Sequence, residues 1–537
     1  MGEHDFDFDD DYIPPLDPSP INAALSGGVS NDPLPTIRLE AGNIEPIVDE
    51  VEAALVSARR GLYQRGGLIV SVGHAPALAA HGRDVIVQRI AERGDHALLE
   101  DICAAARFER YDARVKDFVL KDPPMMLAKT LKQRFGRLRF PPLTGIVNAP
   151  TMRADGSMLT KPGYDESTGL LFDPLDAEFT AIKDKPTRRD AENALAQLDG
   201  LIESFPFVED KDRAVTQSAI LTACVRRSLP TAPLHAFTAP VAGSGKSKLV
   251  DLASVIAFGH EAAVLAQGHT EEELEKRLGA VLLSGDGAVS LDNCERPLAS
   301  DLLCQMLTQT RVQPRILGKS QAPDLSTNLF VTATGNNLVL VGDLTRRAIL
   351  CRLDPKVERP ETRVFEWEPV SVAKARRTDL VVAALTLLRA FHVAGRPQQC
   401  SALGSFEAWS DLVRSALLWL GCADPVATME EVRKADPRLE DLQSVVAQWQ
   451  THVGVQRVTV SEVIKLATEM TPSFGEKPDF LRRDFREALM AVAGQGGVVS
   501  SRKMGNWLSG NQNRIVNGAA FHNVGSRDGV AVWSLRT

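Results

Sequence analysis

Apolar and polar residues follow several rhythms along this chain. Residues 37–180 mix short strand-like runs, such as Gly67-Leu68-Ile69-Val70-Ser71-Val72, with helical spacing over 47–58, which predicts a small α+β module. Over 181–232, Leu195, Leu198 and Ile202, then Ile220, Leu221 and Val225, recur at amphipathic helical spacing and predict a helical collar. Between 233 and 360, strands alternate with helices, the pattern of a parallel sheet covered on both faces. Residues 361–455 read as helical, most clearly over 405–421. The last segment, 456–537, predicts helices over 461–470 and 479–493 and a Ser500-capped basic helix over 500–508. A hairpin follows, its strands ending at His522-Asn523-Val524 and Val530-Ala531-Val532-Trp533 around Gly525-Ser526-Arg527-Asp528-Gly529, which makes a winged-helix-like domain.

Composition changes this picture at the amino end. Residues 1–36 are acidic, rich in Pro, Gly and Ser, and poor in core residues, so a disordered acidic tail is expected. That tail holds eight acidic and no basic residues, equal to the whole formal charge of −8, so the remainder is neutral and compatible with a basic channel. Its run Asp5-Phe6-Asp7-Phe8-Asp9-Asp10-Asp11-Tyr12-Ile13-Pro14 resembles the acidic, aromatic tip of bacterial single-stranded-DNA-binding proteins, but that tip ends in a free carboxylate and this one does not, and a plain solvated tail is the alternative. Seven scattered cysteines without a C-x-x-C pair predict buried, reduced thiols, and no histidine spacing predicts a metal. No apolar run approaches the ~20 residues that span a bilayer, and no signal segment is visible, so a cytoplasmic protein without membrane contact is expected.

The chemistry is concentrated in the alternating segment. Pro240-Val241-Ala242-Gly243-Ser244-Gly245-Lys246-Ser247 lies between a strand over 234–239 and an apolar helix over 248–258, the context of a phosphate-binding loop. Gly243, Ser244 and Gly245 would turn backbone N–H groups onto phosphate oxygens, Lys246 would reach the β- and γ-phosphates of ATP, and Ser247 would ligate Mg²⁺. The usual first glycine is replaced by Pro240. Ala288-Val289-Ser290-Leu291-Asp292-Asn293 is a buried strand ending in a carboxylate, which suits Asp292 to the Mg²⁺ shell. Asn293 occupies the place of a water-activating acid; it can orient water but cannot act as a base, which leaves Glu295, Glu272 and Glu273 as candidates. A strand over 329–334 runs into Gly335-Asn336-Asn337, where Asn336 would meet the γ-phosphate or the attacking water. Arg346 and Arg347 then precede a fifth strand over 348–354, and either would serve as an arginine finger supplied to a neighbouring subunit.

This order of motifs resembles the AAA+ ATPases, and specifically superfamily 3 helicases of the phage and integrative-element primase-helicase type. Phrases at 62–67, 154–173, 272–285, 291–308 and 330–349 carry the likeness, which covers about 38–537. It implies an α/β fold class: an AAA+ P-loop ATPase core with parallel sheet, flanked by an N-terminal α+β module and C-terminal helical and winged-helix domains. It further implies an ATP- and Mg²⁺-dependent homo-hexameric DNA helicase, with single-stranded DNA in the pore, duplex at the C-terminal domain, and a primase on a separate chain. A DNA-contacting hairpin is implied over 311–320, with Arg311, Arg315 and Lys319 as phosphate contacts, and a second contact at Arg502 and Lys503. The rival readings are an ATP-switch initiator or loader, and a DNA-binding regulator with a vestigial ATPase.

Overall fold

The computed structural model describes residues 34–78, 84–175, 177–314, 323–360, 367–471 and 479–536. Residues 1–33 of the acidic tail, with Arg315 and Lys319, lie outside the described residues; the tail expected over 1–36 stops short of that end, since Thr36 begins a strand that pairs with Arg107. The chain divides into two compact units, one of residues up to Leu338 with Arg347–Met429, the other of Val339–Arg346 with Glu430–Thr537.

At the centre of the first unit is a parallel sheet of five strands: β1 (Leu234–Ala239), β2 (Ala263–Ala266), β3 (Ala288–Asp292), β4 (Phe330–Asn336) and β5 (Ala348–Arg352). Their order across the sheet is β2-β3-β4-β1-β5, every pair parallel. β1, β3, β4 and β5 are almost wholly buried, which is why they read as near-continuous apolar runs instead of alternating ones. Parallel strands need crossovers, here helices α1 (Lys246–Phe258) between β1 and β2, α2 (Glu271–Ser284) between β2 and β3, and α3 (Asp301–Thr308) after β3. Each is bounded by recognisable chemistry: Gly259 at φ +86° closes α1, Thr270 accepts from Glu273 N at the start of α2, and Ser300 accepts from Leu303 N at the start of α3. The collar is two helices, Arg188–Ile202 and Asp210–Val225, the first opened by a Thr187–Asp190 capping box.

Polar groups are built into the back of this sheet. Arg226, 2% exposed, donates to the carbonyls of Leu229, Thr327 and Leu329; Arg227 donates to those of Gly285 and Asp286 and to Asn328 Oδ1. These bonds tie the segments entering β3 and β4, and burial pushes both guanidiniums down to about 9. On β1, His235 is fully buried, its Nδ1 donating to Pro233 O at 3.1 Å and its Nε2 accepting from Ser218 Oγ at 2.9 Å. Near the other end of Asp210–Val225, Asp212 is fully buried and holds Arg352 of β5.

In front of the sheet in sequence, residues 36–175 form the α+β module. Thr36–Arg38, Arg107–Asp112 and Asp117–Leu120 make one sheet packed on helices Ile44–Ser57, Asp95–Ala105 and Met125–Lys132. A second, antiparallel sheet of Leu62–Arg65, Leu68–Leu78 and Asp84–Glu92 meets α2, where Arg65 donates to Leu282 O at 3.1 Å. The expected 67–72 strand is thus longer, because its hairpin partner extends it. The helical stretch over 405–421 is interrupted by a π-helical turn, Ser410–Arg414, that lets Trp409 donate to Thr222 Oγ1 at 3.0 Å.

In the second unit, helices Pro437–His452, Val460–Ala467, Arg483–Ala493 and Ser501–Gly510 enclose a core around Trp449, Phe485, Phe521 and Trp533. Ser500 caps the last helix, accepting from Lys503 N. Strands Ala520–Arg527 and Val530–Arg536 pair as the expected hairpin, with Val458–Thr459 added on one edge. The turn is tighter than the five residues expected: Asp528 and Gly529, at φ +53° and +77°, match the twist of the strands. Gly525, at φ +121°, sits at the register shift instead. Among the described residues, no helix is long and apolar enough to cross a membrane. Of the seven cysteines, Cys224, Cys294, Cys304 and Cys351 are buried, but Cys103 is exposed, and Cys400 and Cys422 are half-buried. The expectation of buried thiols therefore fails for three, whose helices and loops turn them outward.

His235 gives a pH signature. Burial holds its imidazole down to about 3 from 6.5, so the folded state binds fewer protons than the unfolded one. Stability from this group is fully present above about pH 6.5 and is lost as pH falls toward 3, roughly 2 kcal/mol by about pH 5. Thermal unfolding at about pH 7 and 5 should show that loss, and His235→Gln should flatten it; equal slopes in both proteins would mean the ring is charged when folded.

Candidate functional site

In a parallel sheet every strand ends at the same edge, so loops leaving the carboxyl ends share one crevice. That edge collects the motif residues. Asn336, the last residue of β4, lies in register with Ala239, the last residue of β1, and Asp292 ends β3 on the far side of β4. The loop after β1 rises from the sheet through Gly243 and Gly245, at φ +74° and +97°, conformations that cost a side-chain-bearing residue free energy. A Cβ at Gly245 would also stand 2.9 Å from the Phe205 ring, which supports the loop from below.

Lys246 begins α1 and is 9% exposed. Its ammonium donates to Asn336 Oδ1 at 2.8 Å and to Val241 O at 3.2 Å, two neutral oxygens. Burial pushes this lysine below its ordinary value, and the Asp292 carboxylate pulls it back. A buried cation held only by neutral oxygens, at the amino end of a helix, suits an anionic ligand. Ser244 is turned inward, its hydroxyl donating to Val241 O at 2.7 Å.

Beside this cation stands the carboxylate. Asp292 Oδ1 accepts from Ser247 Oγ at 3.2 Å and from Thr334 Oγ1 at 2.7 Å. A hydroxyl and a carboxylate oxygen facing one another this closely form the kind of hard-oxygen pair that suits Mg²⁺. Thr334 was not singled out in the sequence. It projects from β4 between the two motif strands, and its oxygen also accepts from Asn293 N at 3.0 Å. The signal was available: Thr332 and Thr334 alternate in a strand that is otherwise apolar and buried up to Gly335.

Asn293 adopts a left-handed conformation at φ +50° and donates through Nδ2 to Glu295 Oε1 at 3.0 Å. The structure therefore links one of the three candidate carboxylates, Glu295, to the motif strand. Glu272 and Glu273 form ion pairs with Lys276 and Arg277 one turn along α2. Past β4, Asn337 N donates to Ala239 O and Leu338 N to Thr238 Oγ1, which fold the chain back over the end of β1.

The two arginines are separated. Arg347 turns inward and donates to the carbonyl of Cys304 and to Thr308 Oγ1 at 3.1 Å, tying β5 to the end of α3. Arg346 belongs to the second unit and leaves 59% of its side chain exposed beside Asp343. In that unit Gly342 N donates to Asp436 Oδ2 at 3.3 Å. Arg311 lies in a two-residue strand paired with Leu325–Ser326 and is ion-paired to Asp324. Arg502 and Lys503 are exposed in the first turn of Ser501–Gly510, with Lys503 Nζ 3.3 Å from Gly494 O. A cavity of about 380 Å³ opens between α2 and the second sheet of the α+β module; its walls, among them Leu68, Val70 and Ile90, hold none of the crevice residues.

Among known proteins, no family model matches this chain and no curated protein matches it. Solved structures overlap it loosely. The apo C-terminal region of NrS-1 is 10% identical, covering 81% of this chain and 98% of that one, with a TM-score of 0.33. JCV helicase bound to a thiazolopyridinyl-phenoxyphenyl acetamide is 12% identical, covering 50% and 71%, with a TM-score of 0.21. The JCV helicase structure itself is 12% identical, covering 49% and 74%, with a TM-score of 0.19. Scores of this size do not establish a shared fold.

Proposed function

We propose that this chain is an ATP-driven DNA helicase of the AAA+, superfamily 3 kind, a homo-hexameric ring acting in replication of a phage or mobile element. The observation that carries the reading is the convergence of Lys246, Ser247, Asp292 and Asn336 at the carboxyl edge of one parallel sheet. On this reading the glycine-bearing loop and Lys246 hold the β- and γ-phosphates, Lys246 exchanging a neutral oxygen for an anionic one. Ser247 and Asp292 would hold Mg²⁺, which would supply positive charge to the phosphates. Asn336, freed from the lysine, faces the γ-phosphate and the attacking water. Glu295 takes the proton from that water, positioned by the Asn293 amide. Arg346, the exposed member of the pair, completes the neighbouring subunit's site, whereas Arg347 is committed within its own chain.

The base of the Arg311 hairpin and the Arg502–Lys503 helix are the proposed DNA contacts, with a separate primase as partner. The substitution of Asn293 for an acid favours, as a second reading, a DNA-binding regulator without turnover.

ATP turnover with and without single-stranded DNA separates the two. Wild type should be stimulated several-fold, about 3- to 10-fold, and Lys246→Ala should lose turnover altogether; no turnover in either protein would leave the regulator. Glu295→Gln should lower kcat by about 10²-fold or more with little change in nucleotide affinity. An unchanged kcat would remove Glu295 from the reaction. Arg346→Ala should abolish turnover by about 10³-fold while leaving the melting temperature unchanged, and Arg347→Ala should lower the melting temperature. The reverse pattern would exchange their roles.

A further inference from the structure

Among the described residues, helices pack on one face of the first sheet of the α+β module. Ile37 and Phe108 point into the helices and are 2% and 3% exposed. Register places Thr36 beside Arg107 and Arg38 beside Glu109, with Glu109 opposite Leu120 and Tyr111 opposite Phe118, so these residues share the other face. On that face Tyr111 is 54% exposed, and Thr36, Arg38, Arg107 and Leu120 are exposed too. An amphipathic sheet normally turns charged and small polar groups outward, and an exposed tyrosine beside a half-buried phenylalanine departs from that.

Their arrangement is specific. The Tyr111 and Phe118 rings lie 5.6 Å apart at 70°, and the Arg38 guanidinium sits 4.3 Å above the Phe118 ring. Tyr111 and the outer face of Arg38 thus present two flat, neighbouring surfaces, one aromatic and one cationic. Arg107 stands at one end of the face, and Arg114 and Lys116 are exposed on the hairpin turn at the other. The acids of that turn are used locally: Asp112 Oδ1 accepts from Arg114 N and Asp117 Oδ1 from Phe118 N, each at 2.8 Å. Glu109 lies on the face between Arg38 and Arg107, and Glu40 and Glu50 line a cavity with Thr36, Arg38 and Glu109 at the edge of the sheet, so the basic side chains at Arg107, Arg114 and Lys116 carry the free positive charge.

We propose that this face binds single-stranded nucleic acid. Bases stack on Tyr111 and on the Arg38–Phe118 pair, and phosphates pass Arg107, Arg114 and Lys116. Every base has a flat face, so such a surface grips a strand with little sequence preference, and the arginines supply the charge complementarity. The site shares no residue with the nucleotide crevice, so it goes beyond the proposed motor and gives the module a strand-holding task.

The test uses the full chain without nucleotide and a fluorescein-labelled oligo-dT of about 20 nucleotides, longer than the roughly 4–16 that one small fold covers. Anisotropy should show Tyr111→Ala weakening binding roughly fivefold or more, with Tyr111→Phe close to wild type. The double variant Arg38→Ala/Arg107→Ala should weaken binding and lower its salt dependence, which keeps the proposal testable if Tyr111→Ala folds poorly. Ultraviolet crosslinking of a bromodeoxyuridine oligonucleotide should label the peptide containing Tyr111 and Phe118. Affinity within about twofold of wild type in both alanine variants would overturn the proposal, as would crosslinks confined to other peptides. A change of oligomeric state at unchanged affinity would make the face a protein contact and also overturn it. Lys246→Ala retains this binding, so failure of the motor and failure of this site are read separately.

Discussion

Lys246 is nine-tenths buried as a residue, and among the described residues its ammonium bonds only to neutral oxygens, an arrangement that costs hydration unless the surroundings are built for it. Much of the first unit is arranged around that constraint. The strand order places β4 between the lysine's strand and the aspartate's, which brings Asn336 to the ammonium and Thr334 to Asp292. Asp292 lies near enough to pull the lysine back toward its charged form without bonding to it. The positive charge therefore stays available to an anion, which a direct ion pair would have neutralised.

The opposite end of the sheet has a different character. There Arg226 and Arg227 donate mostly to backbone carbonyls, among them those of the segments entering β3 and β4, and His235 is locked neutral between Ser218 and Pro233. Buried charge satisfied by fixed carbonyls is costly to disturb, so the back of the sheet resists rearrangement. The crevice end is held by short polar contacts that a ligand can replace one for one. Rigidity behind and exchangeable bonds in front let a strand edge respond without the core repacking.

Much of the parallel-sheet segment and its crevice was legible in the sequence because its signals are local. A strand, a glycine loop and an apolar helix in immediate succession have one common solution, and the strand over 234–239 coincides with the observed one. Asp292 and Asn336 were legible as polar endings to buried strands. What the sequence left open depended on contacts between distant segments. Linking Glu295, and not Glu272 or Glu273, to the motif strand required the Asn293 amide, and separating Arg346 from Arg347 required Cys304 and Thr308 across 43 and 39 residues. Thr334 serves Asp292 across 42 residues and passed as an ordinary strand residue. The open face of the module was hidden for the same reason. Arg38 and Phe118 meet only because Arg107–Asp112 pairs in parallel with one strand and antiparallel with the other.

Val339–Arg346 is built into the second unit although the residues on both sides of it belong to the first. The polypeptide therefore passes between the two units three times, after Leu338, after Arg346 and after Met429. A body joined by one strand of chain can be cut away, transplanted or lost in a single genetic event; one laced in by three crossings cannot. Truncation at Met429 would strip Asp436 from Gly342 and strand the segment that holds Arg346. The two units are thus bound to be inherited together, and a fragment lacking the second would report on a damaged arginine loop as much as on a missing domain.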